Sequence, residues 1–495
     1  MVASAASIAR QCSLTFFPNS PVVFQSLIFL QFFVLVFAAY WLLRERRAQN
    51  WFLLAASLVF YGWVNPWWVL LILTTCVVDF TAARLLTGRP HQQKRWLVLS
   101  LVTNFAILCV YKYFDFFSTS VTQLLHQFGI AAHPFLIKVA LPAGISFYTF
   151  QSASYVVDVY RKQMEARRSL PEYILFVSFF PHLVAGPIQR ANFLLNQIEL
   201  PRVFDARIVR NALVLILWGF FKKLVIADNA ALVVGKIFSL DEPSFPVLWA
   251  GVFAFGVQIY ADFSAYTDIA RGISRLLGFE LCRNFEHPYL ADSPQDFWRR
   301  WHISLSNWFR DYVYIPLGGS RCSLARQCRN ILITFLLSGL WHGAAWNFVL
   351  WGAWHGTLLA LWMLWAKAPE ALRPERLPKV LRITLTFILV HIGWLMFREN
   401  SADHLFRHLG LNPFAADATQ WRMGFFFAAQ TFLYAFPLYL HPAVDRWLNR
   451  YQAARAEHFP GWRWTLACLG VAAVLYVGLI LLRSPASSDF IYFQF

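Results

Sequence analysis

Two histidines lie in one of the most apolar stretches of the chain, SGLWHGAAWNFVLWGAWHG, residues 338–356. His342 and His355 each precede a glycine there. A neutral imidazole can take a proton from an attacking group, or can itself attack an acyl group. A helix from Asn330 to Trp341 would rise about 18 Å, against about 30 Å for a hydrocarbon core. The spacing therefore predicts that His342 lies near the middle of a membrane, where an ionisable residue is a functional candidate by default.

These residues also have structural interpretations. Either histidine could be buried in the protein core, with its ring bonded to a backbone carbonyl of another helix. That interpretation is stronger for His355 than for His342. Asn347 could polarise a carbonyl group of a substrate, or it could cap the helix that follows the turn.

Four charged residues also fall in apolar segments: Lys222, Lys223, Asp262 and Asp268. One charge at the centre of a membrane helix costs about 2.5–3.5 kcal/mol by insertion scales. A paired interior or a water-filled cavity is therefore expected around them. The lysines could attract the phosphates of a polyanionic donor. Alternatively, they could snorkel towards the membrane surface or pair with Asp262 or Asp228. The sequence leaves both interpretations open.

The elements that position these residues are membrane helices. The 495 residues are 58% hydrophobic and 14% charged, whereas a soluble protein carries about 25% charged residues. Apolar windows long enough to cross a bilayer recur along the chain, which predicts an all-α polytopic integral membrane protein with about 11–13 transmembrane helices. The net charge of +17 comes from short basic clusters between these windows, as in cytoplasmic loops. This pattern argues against nucleic-acid binding.

The candidate spans are 22–43, 51–64, 66–85, 96–118, 135–158, 211–227, 247–271, 330–341, 346–366, 383–397, 424–441 and 464–482. The basic segments between them are expected in the cytoplasm and the segments with no or balanced charge outside. We expect one transmembrane domain over 22–495, preceded by an extension over 1–21.

Two segments do not have the pattern of simple spans. Residues 170–190 contain Pro181 and Pro187 and are flanked by basic residues, which predicts a re-entrant hairpin. Residues 296–321 have aromatic residues at steps of three and four, with Arg299, Arg300 and His302 on the other face. That periodicity predicts an amphipathic helix in the membrane interface.

Several classes of active site are absent from the sequence. It contains no phosphate-binding loop, dinucleotide fingerprint or metalloprotease motif, and its seven cysteines are scattered. We therefore expect no bound metal and no resident cofactor.

The chain resembles the membrane-bound O-acyltransferase family, and within it the bacterial alginate O-acetylation (AlgI-like) branch. The resemblance runs from about residue 23 to residue 495. It rests on segments similar to the branch's signatures, at 22–33, 179–190, 220–228, 258–272, 296–319, 338–356 and 490–495.

The resemblance implies a site and a reaction. Helices would surround a central funnel, with His342 as the catalytic histidine and His302 as a second histidine lining the donor side. His355, Asn347, Asp262 and Asp268 would support them. Lys222, Lys223, Arg299 and Arg300 are candidates for binding the donor.

The implied substrate is cytoplasmic acetyl-CoA, and the location is a bacterial inner (plasma) membrane. The acetyl group would cross that membrane to O-acetylate an exopolysaccharide such as alginate or cellulose. The expected partners are a periplasmic SGNH-type acetyltransferase, a polysaccharide synthase or export machinery, and membrane lipid. The alternatives are transfer of D-alanyl or another acyl group to a cell-envelope polymer, or a transporter without enzymatic activity.

Overall fold

The computed structural model describes residues 24–88, 90–137, 139–184, 186–399, 401–455, 461–486, 488 and 490–491. The predicted extension over 1–21 lies outside these residues, as does most of the segment 490–495. The described part of the chain is helical and contains no strand. Its helices are α1 (Leu27–Leu42), α2 (Arg46–Gly62), α3 (Trp67–Gly88), α4 (Gln93–Leu108), α5 (Phe114–Gln127), α6 (Ile145–Tyr160), α7 (Leu170–Ser178), α8 (Phe180–Leu183), α9 (Ala191–Glu199), α10 (Ala206–Phe221), α11 (Asp228–Phe238), α12 (Phe245–Leu276), α13 (Pro294–Arg300), α14 (Ile303–Phe309), α15 (Leu324–His342), α16 (Trp346–Trp365), α17 (Lys379–Arg398), α18 (Ala402–Leu409), α19 (Ala418–Arg455) and α20 (Gly461–Leu482).

Short π-helical segments interrupt or extend some of these helices. Cys109–Tyr113 joins α4 to α5, Lys222–Ala227 joins α10 to α11, and Arg310–Tyr314 follows α14. Each segment contains at least one basic residue. A π-type turn inserts an extra residue into the helix and is frequent at functional sites.

The apolar helices confirm a polytopic membrane protein. Seven described helical segments are long and apolar enough to cross a bilayer: Trp67–Gly88, Gln93–Gln127, Phe245–Leu276, Trp346–Trp365, Lys379–Arg398, Ala418–Pro442 and Thr465–Leu482. The predicted spans 51–64, 211–227 and 330–341 are helical too, but α2, α10 and α15 are shorter, less apolar or more charged than those seven.

The span predicted over 135–158 is helical only in its second part, because α6 begins at Ile145. Pro134 and Pro142 precede this start, and a proline has no N–H to donate to a helix. Gly144 then adopts a φ of 74°, and a side chain on it would collide with the carbonyl of Leu183. The chain before α6 is therefore irregular.

Helix α12 lies at the centre of the molecule. It packs against α10, α11, α17 and α19, and nearly all of its side chains are buried. Its charged residues Asp262, Asp268 and Arg271 pair within the protein, which allows a helix that carries them to occupy an interior position.

The segment 170–190 is broken where the sequence predicts. Helix α7 ends at Ser178, Pro181 lies in the first turn of the short α8, and irregular backbone leads on to α9. The side chains from Leu175 to Leu183 are buried. Protein therefore covers this irregular backbone, which is the condition for having it at membrane depth.

The segment 296–321 has the predicted amphipathic pattern but forms two helices rather than one. The break between α13 and α14 is at His302. Most of the apolar face packs inside the protein. Its buried members are Phe297, Trp298, Trp301, Leu305, Trp308 and Phe309.

Candidate functional site

Close packing of α15 on α16 sets the position of His342. A side chain at Gly339 would collide with the carbonyl of Phe348, and one at Gly352 would collide with the carbonyl of Phe335. Small residues that let two backbones approach are typical of membrane helix pairs. Helix α15 ends at His342, which is 5% exposed.

His302 is held in a strained turn between α13 and α14. Its φ is 42°, a left-handed conformation that is uncommon outside glycine and that persists where the surroundings impose it. Asn284 imposes it here, because its carbonyl accepts from Ile303 N at 2.9 Å and its Oδ1 accepts from Ser304 Oγ at 2.6 Å. Ser304 Oγ in turn accepts from Ile188 N, at the end of the 170–190 segment, at 3.0 Å.

The structure brings the two predicted catalytic histidines together. The centroids of the His302 and His342 rings are 6.4 Å apart, and both side chains are buried. The ring of Phe263 meets His302 edge to face at 4.7 Å, and that of Trp351 meets His342 in the same way at 4.9 Å. Two imidazoles at this separation can bracket an acyl group, one accepting a proton and the other donating a hydrogen bond to the carbonyl oxygen.

A cavity of about 760 Å³ opens between the 296–321 segment, α15 and α16. Three basic residues line it, Arg299, Arg310 and Lys367, and none of the described lining residues is acidic. The cavity therefore presents positive charge on the side that the basic loops assign to the cytoplasm. Its lining includes Ser338, one helical turn before His342, so it ends close to the histidine pair.

His355 lies near His342, and the ring of Trp351 lies between these two histidines. The Trp351 ring centroid is 4.9 Å from that of His355 and 4.9 Å from that of His342. Neither ring nitrogen of His355 has a hydrogen-bond partner among the described residues. The bond to a carbonyl that the structural interpretation expected for His355 is therefore not observed.

Asn347 lies in the first turn of α16, and its Nδ2 donates to the carbonyl of Met396 at 3.4 Å. The N-cap of α16 is Ala345, so the capping interpretation of Asn347 is wrong. Its buried amide instead ties α16 to α17.

The charged residues of α10–α12 form ion pairs. Lys223 Nζ lies 2.9 Å from Asp228 Oδ1 and 2.9 Å from Asp262 Oδ1, and Lys222 Nζ lies 2.7 Å from Asp268 Oδ2. Asp262 also accepts from Ile491 N at 2.7 Å. The predicted pairing with Asp262 and Asp228 is therefore observed for Lys223, whereas Lys222 pairs with Asp268 instead. Neither lysine lines the cavity. A role for them in donor binding stays a prediction.

The two predicted donor-binding arginines differ in position. Arg299 lines the cavity, whereas Arg300 Nε pairs with Asp296 Oδ2 at 2.9 Å, one turn earlier on α13. Among the described residues, no group of three or more His, Cys, Asp or Glu side chains is arranged to hold a metal ion.

Sequence reasoning missed two features of the site. Asn284, which holds the His302 turn, has no local signal, because its partners come from other segments. Lys112 does have one, since it is the only charged residue between Arg95 and Asp115. The structure places its Nζ against the carbonyls of Trp341 and His342.

Comparison with known proteins agrees with this geometry. The model of MBOAT, the membrane-bound O-acyltransferase family, matches residues 91–399, more than half of the chain. A probable alginate O-acetylase of Azotobacter vinelandii is 39% identical over 393 residues, which are 78% of this chain and 77% of the relative. A peptidoglycan O-acetyltransferase of Helicobacter pylori is 31% identical over the full length of both proteins.

A more distant relative, a teichoic acid D-alanyltransferase of Streptococcus thermophilus, is 28% identical over 65% of this chain and 86% of its own length. The family match, the two relatives that cover most of the chain and the apolar helices lead to one conclusion. The chain belongs to the membrane-bound O-acyltransferase family and is a multi-pass membrane acyltransferase.

Proposed function

We propose that this protein moves acetyl groups from cytoplasmic acetyl-CoA across a bacterial inner membrane for the O-acetylation of an exopolysaccharide, alginate-like or cellulose. The observation that carries the proposal is the buried pair His302 and His342 close to a cavity whose lining includes Arg299, Arg310, Lys367 and Ser338. The alginate and peptidoglycan O-acetyltransferase relatives support acetyl as the group transferred.

The cavity suits a phosphorylated donor. Its volume of about 760 Å³ lies within the roughly 300–1,000 Å³ of small-molecule sites. Arg299, Arg310 and Lys367 can bind phosphate groups through charge-assisted hydrogen bonds. The thioester would then extend past Ser338 towards His342.

The proposed reaction is an acyl transfer. His342 takes the proton of the acceptor hydroxyl, and the hydroxyl oxygen attacks the thioester carbonyl carbon. His302 donates a hydrogen bond to the oxygen that becomes negative. The carbon–sulfur bond then breaks, and the CoA thiolate takes the proton from His342. In a second version His342 itself forms a transient bond to the acetyl carbon, and the acceptor hydroxyl displaces it.

The direct acceptor is proposed to be a periplasmic SGNH-type acetyltransferase that modifies the polymer, working next to a polysaccharide synthase or exporter. No metal or bound cofactor takes part in this scheme.

The experiment is thioester cleavage in proteoliposomes that contain the purified protein and radiolabelled acetyl-CoA. Cleavage by the wild type and its loss in His342→Ala and His302→Ala support the proposal. Movement of a solute without any cleavage would instead identify a transporter. The D-alanyl alternative, favoured by the teichoic acid relative, predicts that a D-alanyl thioester is a better donor than acetyl-CoA.

A further inference from the structure

Lys112 lies in the π segment Cys109–Tyr113, within the long apolar span Gln93–Gln127. Its Nζ donates to the carbonyl of Trp341, and also to the carbonyl of His342 and to Ser146 Oγ, each at 3.3 Å. Its ammonium group also lies 5.7 Å from the centroid of the Trp341 ring. All of these contacts are to residues on other helices.

The two carbonyls belong to the last turn of α15. Carbonyls at a helix C-terminus have no partner within the helix, and they form the negative end of its dipole. Inside a membrane, water is scarce, so another part of the protein must satisfy them. Gly343 follows at once with extended backbone, and Lys112 supplies donors to the two final carbonyls.

Lys112 differs in its partners from the other buried cations of the spans. Lys222, Lys223 and Arg271 each lie within 3.5 Å of a carboxylate. Among the described residues, no carboxylate lies within 4.0 Å of Lys112 Nζ. Its amino group is therefore directed at the backbone of His342, and no acid among the described residues pairs with it.

We infer that Lys112 is a positioning residue for His342. It anchors the last turn of α15 to α4–α6 and so holds the imidazole at a fixed distance from His302. This inference rests on the proposed function, in which His342 acts on the thioester. A misplacement of about 1 Å can cost about 100-fold in rate, so a small movement of this turn is sufficient to matter.

The test is Lys112→Met, which keeps a long apolar side chain and removes the donors. We expect kcat for acetyl-CoA cleavage in proteoliposomes to fall about 100-fold, with KM for acetyl-CoA unchanged, because the donor cavity is untouched. Lys112→Arg, which keeps a cationic donor, is expected to have a kcat at least about tenfold higher than that of Lys112→Met. The matched control is Lys236→Met, since Lys236 is exposed on α11 and its loss removes one charge without touching the site.

The outcomes separate this inference from the proposed function. If His342→Ala still cleaves acetyl-CoA, the proposed function fails, whatever Lys112 does. Two outcomes overturn only the positioning role, provided that His342→Ala is inactive. In the first, Lys112→Met keeps its kcat within threefold of the wild type; in the second, its lower activity comes from a higher KM for acetyl-CoA. If Lys112→Met does not fold, Lys112→Gln, whose uncharged amide is one bond shorter in reach than Lys Nζ, is measured against the same criteria.

Discussion

Lys112 and Lys223 are both lysines in helical segments of a membrane protein, but the groups that contact their amino groups differ in charge. Lys223 lies between Asp228 and Asp262 and donates to Ser488, so its positive charge is matched by carboxylates. Lys112 contacts backbone carbonyls and a hydroxyl group.

The difference separates stability from reactivity. The Lys223 cluster ties α10–α12 to the segment after α20, since Asp228 accepts from Ser488 Oγ at 2.6 Å and Asp262 accepts from Ile491 N. The carbonyls that Lys112 contacts belong to the helix turn that bears His342. We therefore expect changes at Lys223 to affect folding, and changes near Lys112 to affect the rate of acyl transfer.

The largest expected effect is on catalysis, in the helix turn that Lys112 contacts. His342→Gln keeps a polar side chain of similar size and removes the proton acceptor. We expect a loss of about 10³-fold or more in acetyl-CoA cleavage, with little change in thermal unfolding in detergent. Near-normal acetyl content of the polymer in cells that make only this variant would reject the assignment of His342.

The second-largest expected effect is on stability, in the ion-pair cluster around Lys223. Lys223→Met leaves Asp228 and Asp262 buried without their cation, which is expected to cost about 3–5 kcal/mol. A large drop in the thermal midpoint of the detergent-solubilised protein is the expected result. A stable Lys223→Met variant whose KM for acetyl-CoA rises would break the comparison, because Lys223 would then bind the donor.

A smaller effect tests whether the cavity, rather than the Lys222–Lys223 pair, binds the donor. Arg310→Gln removes one of the three cations that line the cavity. We expect KM for acetyl-CoA to rise about tenfold while kcat stays the same, since a hydrogen bond to a charged group contributes about 1.5–3 kcal/mol. Arg207→Gln is the control, because Arg207 is exposed and, within the described part of the chain, pairs only with Asp205. Equal KM values in the two variants would argue against donor binding at Arg310.

The smallest effect sharpens the assignment of Lys112. Ser146→Ala removes one contact of Lys112 at 3.3 Å and leaves both carbonyl contacts in place. A neutral hydrogen bond contributes about 0.5–1.5 kcal/mol, so we expect kcat to fall by about 2- to 12-fold, well short of the loss expected for Lys112→Met. A loss as large as that of Lys112→Met would mean that the hydroxyl, and not the carbonyl contacts, fixes the position of the lysine.

Local patterns predicted much of the fold and some of the site. The apolar windows located the helices, and the charges at Lys223 and Asp262 allowed a buried pair as one of the interpretations left open. Pro181 predicted the break in the 170–190 segment. The periodicity of 296–321 predicted which side chains share an aromatic face, but not that this face is buried in the protein. It also did not predict the left-handed turn at His302, because bonds from Asn284, outside that segment, hold this turn.

The sequence by itself determined that the chain would fold as apolar helices and that one of them would end near His342, because hydropathy and glycine spacing act locally. The position of His342 near the middle of the membrane stays a prediction. Only the tertiary structure decided that His302 would face His342 and that Lys112, 230 residues before His342, would contact its carbonyl. Both contacts depend on how the helices pack against each other. Packing is set by the fit of side chains that are distant in sequence, and no local pattern contains that information.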